Sequence, residues 1–442
     1  MIAGGRGESD TELGQVDALT HEGEGVVHGG KTVFIAGALP GETVRYRRIR
    51  RHKRHDDGLL LEIIRAVPER TTPQCQYFGV CGGCALQHLM PARQIELKQA
   101  ELRDSLERLA QVRPQRWLEP LTGPAWAYRR RARLGARYVA KKERVLVGFR
   151  ERLSSRIAEL DACEVLARPA GALIGALAAL LSSLELRAQV PQIEVAVGDN
   201  ATALVLRVLA DPSAADLARL RDFERAHSVR LYLQRGGLDS IERLSANVEE
   251  PPLHYWLPGP GLKIEFAPTD FLQINAAINQ SLIERACALL ELTPASRVLD
   301  LYCGLGNFTL PLARRAEFVL GVEAEAGLVE RARHNAALNG IDNVRFIAAD
   351  LGRPLPQELP WLQPPLSHVL LDPPRVGAHE VMRTIARIRP QGVLYISCHP
   401  GSLARDIGTL AHEHGFVLQA AGVVDMFPHT THVESLALLR PA

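Results

Sequence analysis

The pattern of apolar and polar positions divides the chain into regions of different structure. Residues from about 12 to 67 alternate apolar and polar positions in short runs between Gly-rich turns, which is typical of a small β-barrel of the OB type. Residues 91–110, PARQIELKQAELRDSLERLA, have the apolar spacing of a helix. From about residue 270 onward, helical and strand patterns alternate, which predicts a doubly wound sheet of parallel strands.

The region between about 125 and 265 mixes strand patterns with one Ala/Leu-rich helix near 166–187. The segment 192–209, QIEVAVGDNATALVLRVL, predicts a hairpin that turns at residues 198–200. The predicted fold class is therefore α/β, with a Rossmann-like doubly wound sheet at the C-terminus, a central α+β domain and an N-terminal OB-like β-barrel. The domain boundaries that we predict are 1–70, 71–265 and 266–442.

Composition narrows the class of protein. The 442 residues are 46% apolar and 23% charged, as is ordinary for a globular protein of several domains. No apolar run approaches the roughly 20 residues that span a bilayer, and the N-terminus has no secretory h-region. We therefore expect a cytoplasmic protein with no membrane partner.

The net charge of +2 conceals two basic blocks. Residues 45–54, RYRRIRRHKR, contain seven Lys or Arg and no acid, and residues 128–137 contain five more. Such blocks are often solvated faces, but two in the first third of the chain favour a polyanion partner, in particular RNA.

The first strand of the C-terminal region leads into a glycine-containing loop. VLDLYCGLGNFTL ends its strand near Asp300 and then offers Gly304 and Gly306, where the backbone can approach a ligand closely. The dinucleotide fingerprint G-x-G-x-x-G is absent, because Thr309 stands three residues after Gly306. The loop therefore suits S-adenosylmethionine better than NAD.

Further acids close the strands that follow. Glu323 ends the second strand, where its carboxylate can accept both hydroxyls of a ribose. Asp350 closes the third strand, within reach of an adenine amine, and Asp372 closes the fourth. Because parallel strands present their carboxyl ends at one edge, these acids predict a cofactor site rather than incidental turns.

A cysteine ends the fifth strand at the same edge. In VLYISCHPGS, the apolar run stops at Cys398, and Pro400 turns the chain outward. Cysteine is often a buried core residue, but the thiolate is also the strongest common side-chain nucleophile. Its place beside the predicted cofactor favours a catalytic thiol.

Four other cysteines have spacing that suits a metal or cluster. The chain has seven cysteines, and in a cytosolic protein clustered cysteines are better explained by metal binding or catalysis than by disulfides. Four thiolates suit zinc or an iron–sulfur cluster equally by count, and the wide spacing favours the cluster. We interpret Cys287 and Cys303 as spectators. The predicted ligands are Cys75, Cys81, Cys84 and Cys163.

The motifs SCHP, LLDPPR and HTTHVESLALL resemble those of the RNA uracil-C5 methyltransferase family, and the resemblance covers essentially the whole chain. The N-terminal region resembles a TRAM domain, and the cysteine set resembles the family's [4Fe–4S] site. Both features are typical of bacterial members that modify 23S rRNA, whereas the transfer-RNA members generally lack them. The resemblance implies an S-adenosylmethionine-dependent enzyme that forms 5-methyluridine in 23S rRNA, and we expect a monomer.

The same resemblance implies roles for individual residues. Cys398 matches the family's nucleophile, and Glu434 matches its base. The family usually has Asn where His399 stands and often has Phe at position 302. The positions that match the cofactor and substrate sites are Gln273, Tyr302, Asn307, Glu323 and Asp372.

The chemistry requires two separate groups. Uracil C5 becomes nucleophilic when a thiolate adds to C6, and a base must later remove the C5 proton so that the thiol can leave. The target base must also be flipped out of its stack. The alternatives are a tRNA uracil-5 methyltransferase, a non-catalytic RNA-binding iron–sulfur protein, and a methyltransferase acting on DNA or a small molecule. The basic blocks argue against a small substrate.

Overall fold

A computed structural model describes residues 11–245, 250–353 and 365–442. These residues form two compact units. Unit 1 consists of the described residues up to Leu97 together with Phe149–Ala158 and Phe427–Thr431, and unit 2 consists of the other described residues. Within these ranges no helix combines the length and apolar character that crossing a membrane requires.

Unit 1 contains a six-stranded sheet in the order β1-β5-β6-β4-β3-β2. Val33, Ile35, Val44 and Tyr46 lie at alternate positions of their strands and form its core. Gly58 is needed there, because a Cβ would lie 2.9 Å from side-chain carbons of Val33 and Ile35. The predicted short strands are confirmed, whereas the closed barrel stays a prediction. The strands are β1 (Thr11–Gln15), β2 (Ala18–Leu19), β3 (Glu24–Val27), β4 (Thr32–Ala36), β5 (Thr43–Arg51) and β6 (His55–Arg65).

The helix predicted at residues 91–110 is confirmed. It is α1 (Pro91–Asp104), followed by one π-helical turn, Ser105–Leu109. Leu102 and Leu106 are fully buried in unit 2, four residues apart on one face.

Unit 2 contains a second six-stranded sheet, in the order β13-β12-β11-β10-β8-β9. The predicted hairpin is confirmed, since Val197 pairs with Thr202 across the turn. The predicted helix at 166–187 is shorter, because Leu184 has extended backbone and ends it. The elements are β7 (Arg116–Trp117), β8 (Arg131–Val139), β9 (Arg144–Gly148), α2 (Ile174–Ser183), β10 (Gln192–Val197), β11 (Thr202–Arg207), α3 (Ala214–His227), β12 (Val229–Gln234) and β13 (Ile241–Arg243).

The C-terminal region of unit 2 forms an eight-stranded sheet in the order β18-β17-β16-β19-β20-β22-β21-β7. A two-stranded ribbon, β14 and β15, precedes it in the chain. The elements are β14 (Leu253–Leu257), β15 (Leu262–Phe266), α4 (Ala276–Leu290), β16 (Arg297–Leu301), α5 (Thr309–Ala313), β17 (Phe318–Glu323), α6 (Ala326–Leu338), β18 (Val344–Ala348), β19 (His368–Leu371), α7 (Met382–Ile388), β20 (Gly392–Ser397), α8 (Pro400–His414), β21 (Phe416–Val424) and β22 (Glu434–Pro441).

This sheet is mixed rather than wholly parallel, which corrects the prediction. β16 to β20 are parallel, as predicted, but β22 runs antiparallel between β20 and β21. A parallel neighbour needs a crossover connection, and the short link from Val424 to Glu434 instead suits an antiparallel return. Both faces of β16, β17, β19 and β20 are buried, as expected of strands covered by helices on each side, whereas the edge strand β18 is buried only at Phe346.

Close packing between β17 and β18 depends on one glycine. A Cβ added to Gly321 would lie 2.6 Å from a ring carbon of Phe346 and 3.0 Å from Cys303 Sγ. Gly321 thus leaves room for the Cys303 side chain, which is 5% exposed. This burial agrees with a spectator role for Cys303.

Candidate active site

Strand direction brings the predicted catalytic residues to one edge of the sheet. Cys398 follows the last residue of β20, and Asp372 follows the last residue of the parallel strand β19. Because β22 is antiparallel, its first residue, Glu434, lies at that same edge. The backbone register pairs Ser397 with Ser435, and Ser435 Oγ donates to the Ser397 carbonyl at 3.3 Å. The predicted nucleophile and the predicted base are therefore neighbours across one pair of strands.

Hydrogen bonds on both sides of Cys398 fix its backbone. Ser397 Oγ donates to the His399 carbonyl and accepts from the His399 N–H, both at 3.1 Å. His399 is the N-cap of α8, and its Nδ1 accepts from the Ser402 N–H at 3.1 Å. The thiol thus lies between a strand end and a capped helix start.

Burial and neighbouring charges favour the neutral form of the thiol. Burial, followed by the carboxylates of Glu434 and Asp372, raises the pKa of Cys398 to about 11, while Arg375 opposes this rise. Without substrate, the thiol is thus protonated at neutral pH. A base must take its proton before it can attack a carbon.

The carboxyl groups of Glu434 and Asp372 both have raised pKa values, which favours their protonated forms. Glu434 is 4% exposed, and burial, reinforced by Asp372, raises its pKa well above the usual range. Burial also raises the pKa of Asp372 to about 7, although a hydrogen bond of 2.9 Å from Gln273 Nε2 opposes the shift. Acids with pKa values displaced towards neutrality are typical of proton-transfer sites.

The structure adds two residues that the sequence analysis missed. Arg375 Nη2 donates to His432 Nδ1 at 2.9 Å. Burial, then the charges of Arg375 and Arg129, lowers the pKa of His432 to about 4, so the ring is neutral and can accept. Arg375 is the nearby cation that favours the charged forms of Cys398 and Glu434. The sequence signal for these two residues was their place in known motifs. Arg375 ends LLDPPR, and His432 lies in HTTHVE.

The predicted cofactor residues follow β16, β17 and β18 along the same edge. Glu323 accepts from the N–H groups of Gly304 at 3.1 Å, Ala324 at 2.7 Å and Glu325 at 3.1 Å. Gly304 has a φ of +54°, and open space surrounds the position of an added Cβ. The carboxylate and the open loop leave room for a ligand to approach the backbone.

The remaining predicted residues of this edge have partners of their own. The Tyr302 hydroxyl donates to the Leu351 carbonyl at 3.3 Å. Asp350 accepts from the Gly352 N–H at 3.0 Å and forms an ion pair of 3.0 Å with Arg353. Asp300 is 1% exposed and accepts from Thr309 Oγ1 at 2.5 Å, so it supports the loop from within.

Asn307 belongs to an amide network that the sequence analysis did not identify. Its Oδ1 accepts from Asn279 at 2.8 Å and from the Tyr255 hydroxyl at 3.0 Å. Its Nδ2 donates to Asn279 Oδ1 at 2.9 Å. These bonds fix the loop that carries Gly304, and a direct cofactor contact of Asn307 stays a prediction.

The predicted cluster ligands are distributed over both units. Three of them lie in one loop of unit 1, and Cys163 belongs to unit 2. In the loop, Cys75 N–H donates to Gln87 Oε1 at 3.2 Å, and Gly83 N–H donates to Cys81 Sγ at 3.4 Å. An N–H directed at sulfur suits a thiolate ligand. The loop residues are Cys75, Cys81 and Cys84.

One further group of possible metal ligands lies in unit 1. Ligand atoms of His52, His55 and Asp57 lie within 4.8 Å of one another. The two imidazole rings are stacked with centroids 4.5 Å apart, and Arg50 lies 4.0 Å from the Asp57 carboxylate. Stacked rings and a neighbouring cation do not favour a metal ion here.

The basic block at 45–54 contains two kinds of arginine. Arg48 bridges Glu12 and Asp56, both at 2.7 Å, and is a structural residue of the sheet. Arg47 and Arg51 are exposed, and neither forms an ion pair with an acid in the described ranges. This pair, rather than Arg48, is available to a polyanion.

The block at 128–137 is largely paired within unit 2. Arg131 and Arg133 contact Glu194 at 2.8 and 2.9 Å. Arg130 contacts Asp199 at 2.6 Å. These internal ion pairs weaken the expectation that the second block binds RNA.

The chain belongs to the tRNA (uracil-5-)-methyltransferase family, whose model matches residues 92–441. It is 49% identical over 429 residues to the 23S rRNA (uracil(1939)-C(5))-methyltransferase RlmD of Alkalilimnicola ehrlichii, covering 96% of this chain and 95% of that protein. It is 46% identical over 439 residues to the RlmD of Nitrosococcus oceani, covering 97% and 96%. The resemblance stated from the sequence motifs is thus confirmed.

A solved structure shows the same fold. The Pyrococcus abyssi tRNA (uracil-54, C5)-methyltransferase, crystallised with S-adenosyl-L-homocysteine, matches with a TM-score of 0.74 and 22% identity. The match covers 97% of this chain and all of that one. The predicted Rossmann-like fold is therefore confirmed.

The electrostatics of the site predict opposite effects of two substitutions on the Cys398 thiol. Glu434→Gln should lower the thiol pKa, because the carboxylate that disfavours the thiolate is removed. Arg375→Ala should raise it, because a stabilising cation is removed. At about pH 8, alkylation by iodoacetamide should become about tenfold faster in the first variant and about tenfold slower in the second.

The alkylation is measured by mass spectrometry of the peptide that contains Cys398, so that the other cysteines do not contribute. Arg383→Ala, which removes an exposed arginine of α7, serves as the control for loss of charge. Equal rates in all four proteins would contradict the electrostatic coupling.

Proposed function

We propose that this chain uses S-adenosylmethionine to methylate C5 of a uridine in 23S rRNA. Its near-full-length similarity to the RlmD proteins supports the substrate and the reaction. The observation that supports the mechanism is the meeting of Cys398, Glu434 and Asp372 at one edge of the sheet. The family's name mentions tRNA, but the relatives with 46–49% identity are named for 23S rRNA.

Cys398 acts as the nucleophile in this proposal. Its thiol loses a proton to a neighbouring carboxylate, and the sulfur forms a bond to C6 of the uracil while the C5–C6 double bond opens. When bound, S-adenosylmethionine would supply an electrophilic methyl group to C5, and S-adenosylhomocysteine would be the leaving group. Once C5 holds the methyl group, it still has its original proton, and the ring remains joined to Cys398.

Glu434 completes the reaction as the base. Its carboxylate removes the C5 proton, the C5–C6 double bond re-forms, and the thiolate leaves. The raised pKa values of Glu434 and Asp372 fit groups that exchange protons near neutrality. The Arg375 guanidinium, oriented by His432, stabilises the anionic stages of the cycle.

Asp372 also reads the substrate. Its carboxyl group accepts from Gln273, and at a pKa of about 7 it can donate or accept towards the polar edge of uracil. Gln273 fixes its orientation. In this proposal a flipped uracil would contact the thiol of Cys398 and two carboxyl groups. Glu434 would act as the base, and Asp372 would recognise the polar edge of the ring.

The loop after β16 and the end of β17 suit the cofactor. Glu323 is anchored by three backbone N–H groups and keeps acceptor capacity for ribose hydroxyls. Tyr302, Gly304, Asn307 and Asp350 complete the proposed cofactor contacts. The carboxylate lies where a neutral ribose, rather than a phosphate, would be accepted.

We also propose a structural [4Fe–4S] cluster. The donor set is four thiols, and the backbone N–H at Cys81 Sγ suits a metal-bound thiolate. Methyl transfer moves no net electrons, so the cluster has no step in the reaction. Its proposed ligands are Cys75, Cys81, Cys84 and Cys163.

The two catalytic roles predict different failures. Cys398→Ala should abolish methylation of a 23S rRNA fragment and form no covalent complex, because nothing adds to C6. Glu434→Gln should add and transfer the methyl group and then stall, because an amide cannot take the C5 proton. A denaturing gel with labelled RNA should show a retarded band for Glu434→Gln alone.

A tRNA transcript serves as the substrate control and should be left unmethylated by the wild-type protein. Methylation of tRNA alone would favour the tRNA substrate that the family's name mentions. Activity of Cys398→Ala would exclude covalent catalysis, and normal turnover by Glu434→Gln would remove its role as base.

The exposed arginines of β5 predict a change in salt dependence. Arg47→Gln with Arg51→Gln should weaken binding of the 23S rRNA fragment and reduce the slope of log K against log salt by about one unit for each phosphate that is no longer neutralised. Filter binding at several salt concentrations measures the slope. Arg221→Gln with Arg345→Gln removes two exposed arginines from unit 2 and is the matched control. If both double variants showed the same slope, Arg47 and Arg51 would be solvated side chains that do not contact phosphates.

Metal analysis tests the cluster. Protein purified without oxygen should be brown and contain about four irons per chain. Cys81→Ser should lose most of this iron, whereas Cys287→Ser should retain it, because Cys287 is buried in α4 at 4% exposure. Stoichiometric zinc without iron would refute the proposal.

A further inference from the structure

The turn that carries Arg375 packs closely against helix α8. The Gly377 N–H donates to the Pro374 carbonyl at 2.8 Å, which places Arg375 inside a tight turn after β19. Gly377 has a φ of +84°, and a Cβ added there would lie 2.6 Å from Asp406 Oδ2. A larger residue at this position would therefore move the turn away from α8.

Asp406 of α8 holds this turn from inside the protein. Its side chain is fully buried, and its Oδ2 accepts from the Ala378 N–H and from the Tyr395 hydroxyl, both at 2.7 Å. Tyr395 lies in β20, three residues before Cys398. A carboxylate that accepts from a backbone N–H makes a strong, charge-assisted hydrogen bond. Asp406 thus joins β20, α8 and the segment that follows β19.

Arg405 adds a second contact to the same turn. Its Nη2 donates to the Val376 carbonyl at 2.9 Å and lies 2.7 Å from Asp406 Oδ1. Its Nε donates to that same carboxylate oxygen at 2.8 Å. Two adjacent residues of α8 therefore bind the two peptide groups that flank Gly377.

The position of this turn matters because it carries the cation of the candidate active site. Arg375 Nη2 donates to His432 Nδ1 at 2.9 Å, and His432 precedes Glu434 by two residues. Because β19 and β20 are paired neighbours, the segment after β19 lies beside Cys398. Arg375 opposes the rise in the pKa of the Cys398 thiol. Since the interaction of two charges weakens with distance, a displaced turn would stabilise the thiolate less.

We propose that Asp406 and Arg405 are positioning residues for Arg375, so that helix α8 controls the reactivity of the Cys398 thiol by holding the turn after β19. Neither residue touches a reacting atom of the proposed reaction. Their effect passes through the backbone of residues 376–378 to the Arg375 guanidinium. The consequence for methylation rests on the proposed function, whereas the effect on the thiol does not.

Loss of charge at Asp406 and loss of the position of Arg375 have opposite effects on the thiol. Removal of a negative charge, taken alone, can only favour a nearby thiolate and lower the pKa of its thiol. Displacement of a cation raises that pKa. The direction in which the reactivity of Cys398 changes therefore separates the two effects.

The experiment is a double-mutant cycle of Asp406→Asn and Arg375→Ala, measured by alkylation of Cys398 with iodoacetamide at about pH 8. Asparagine has nearly the shape of aspartate, but only one of its two terminal atoms can accept a hydrogen bond. Asp406→Asn alone should slow alkylation about threefold, which corresponds to about half a unit in the thiol pKa. In the Arg375→Ala background it should leave the rate unchanged, because the cation that Asp406 positions is already absent.

Glu413→Gln makes the same chemical change at an exposed position of α8 and is the matched control, with an unchanged rate expected. Equal slowing by Asp406→Asn in both backgrounds would overturn the proposal, since it would indicate general loosening of the fold. Unchanged or faster alkylation of the single variant would overturn it as well, because Arg375 would then have kept its position.

Arg405→Met provides a second test that leaves the buried carboxylate in place, because the Arg405 side chain is 48% exposed. It should slow alkylation about twofold in the wild-type background and not in the Arg375→Ala background. Equal slowing in both backgrounds would reduce Arg405 to a distant charge and contradict its positioning role.

Methylation of the 23S rRNA fragment provides the functional readout. With saturating substrates, Asp406→Asn should be about threefold slower than wild type, and its KM for S-adenosylmethionine should be unchanged, because the turn is not among the proposed cofactor contacts. A raised KM with an unchanged maximal rate would contradict the proposal. If wild type methylated no RNA, the proposed function would fail, whereas the alkylation cycle would still decide whether α8 positions Arg375.

Discussion

The antiparallel insertion of β22 between β20 and β21 is the constraint on which the site depends. A strand added in parallel would present its carboxyl end at the edge that carries Cys398. Because β22 runs antiparallel, it presents its first residue, Glu434, at this edge instead. The pairing of Ser397 with Ser435 places Glu434 directly beside Cys398. The proposed nucleophile and the proposed base, which are far apart in sequence, therefore meet through ordinary backbone hydrogen bonds.

The same arrangement concentrates acidic groups in a poorly solvated place. Burial disfavours the anion at Cys398, Asp372 and Glu434 alike, and the charge of Asp372 further disfavours the anions of Glu434 and Cys398. Arg375 is the cation that offsets part of this cost. Burial thus disfavours the charged form of each of these groups, and in the proposed mechanism the Cys398 thiol transfers its proton to a neighbouring carboxylate before it attacks.

The sequence predicted the strand ends better than the strand directions. Alternating helix and strand patterns identified β16 to β20, and parallel strands necessarily bring Glu323, Asp372 and Cys398 to one edge. The run SLALL has no signal for direction, so the mixed sheet was not predicted. Likewise, a run of arginines does not show that Arg48 reaches Glu12 and Asp56 while Arg47 stays exposed, because that depends on pairing between strands. The partners of Asn307 were missed because Tyr255 and Asn279 lie in other elements.

The reciprocal pair of Asn279 and Asn307 has a consequence for the chemical ageing of the protein. Each amide donates to the other's oxygen, so both side chains are used in one orientation. Hydrolysis of either amide to a carboxylate replaces a donor by an acceptor and sets two oxygens against each other. This hydrolysis replaces NH by a single oxygen atom and changes the mass of the protein very little. It would nevertheless loosen the loop that carries Gly304. In stored protein, the loop that carries the proposed cofactor contacts would then loosen before the fold was lost.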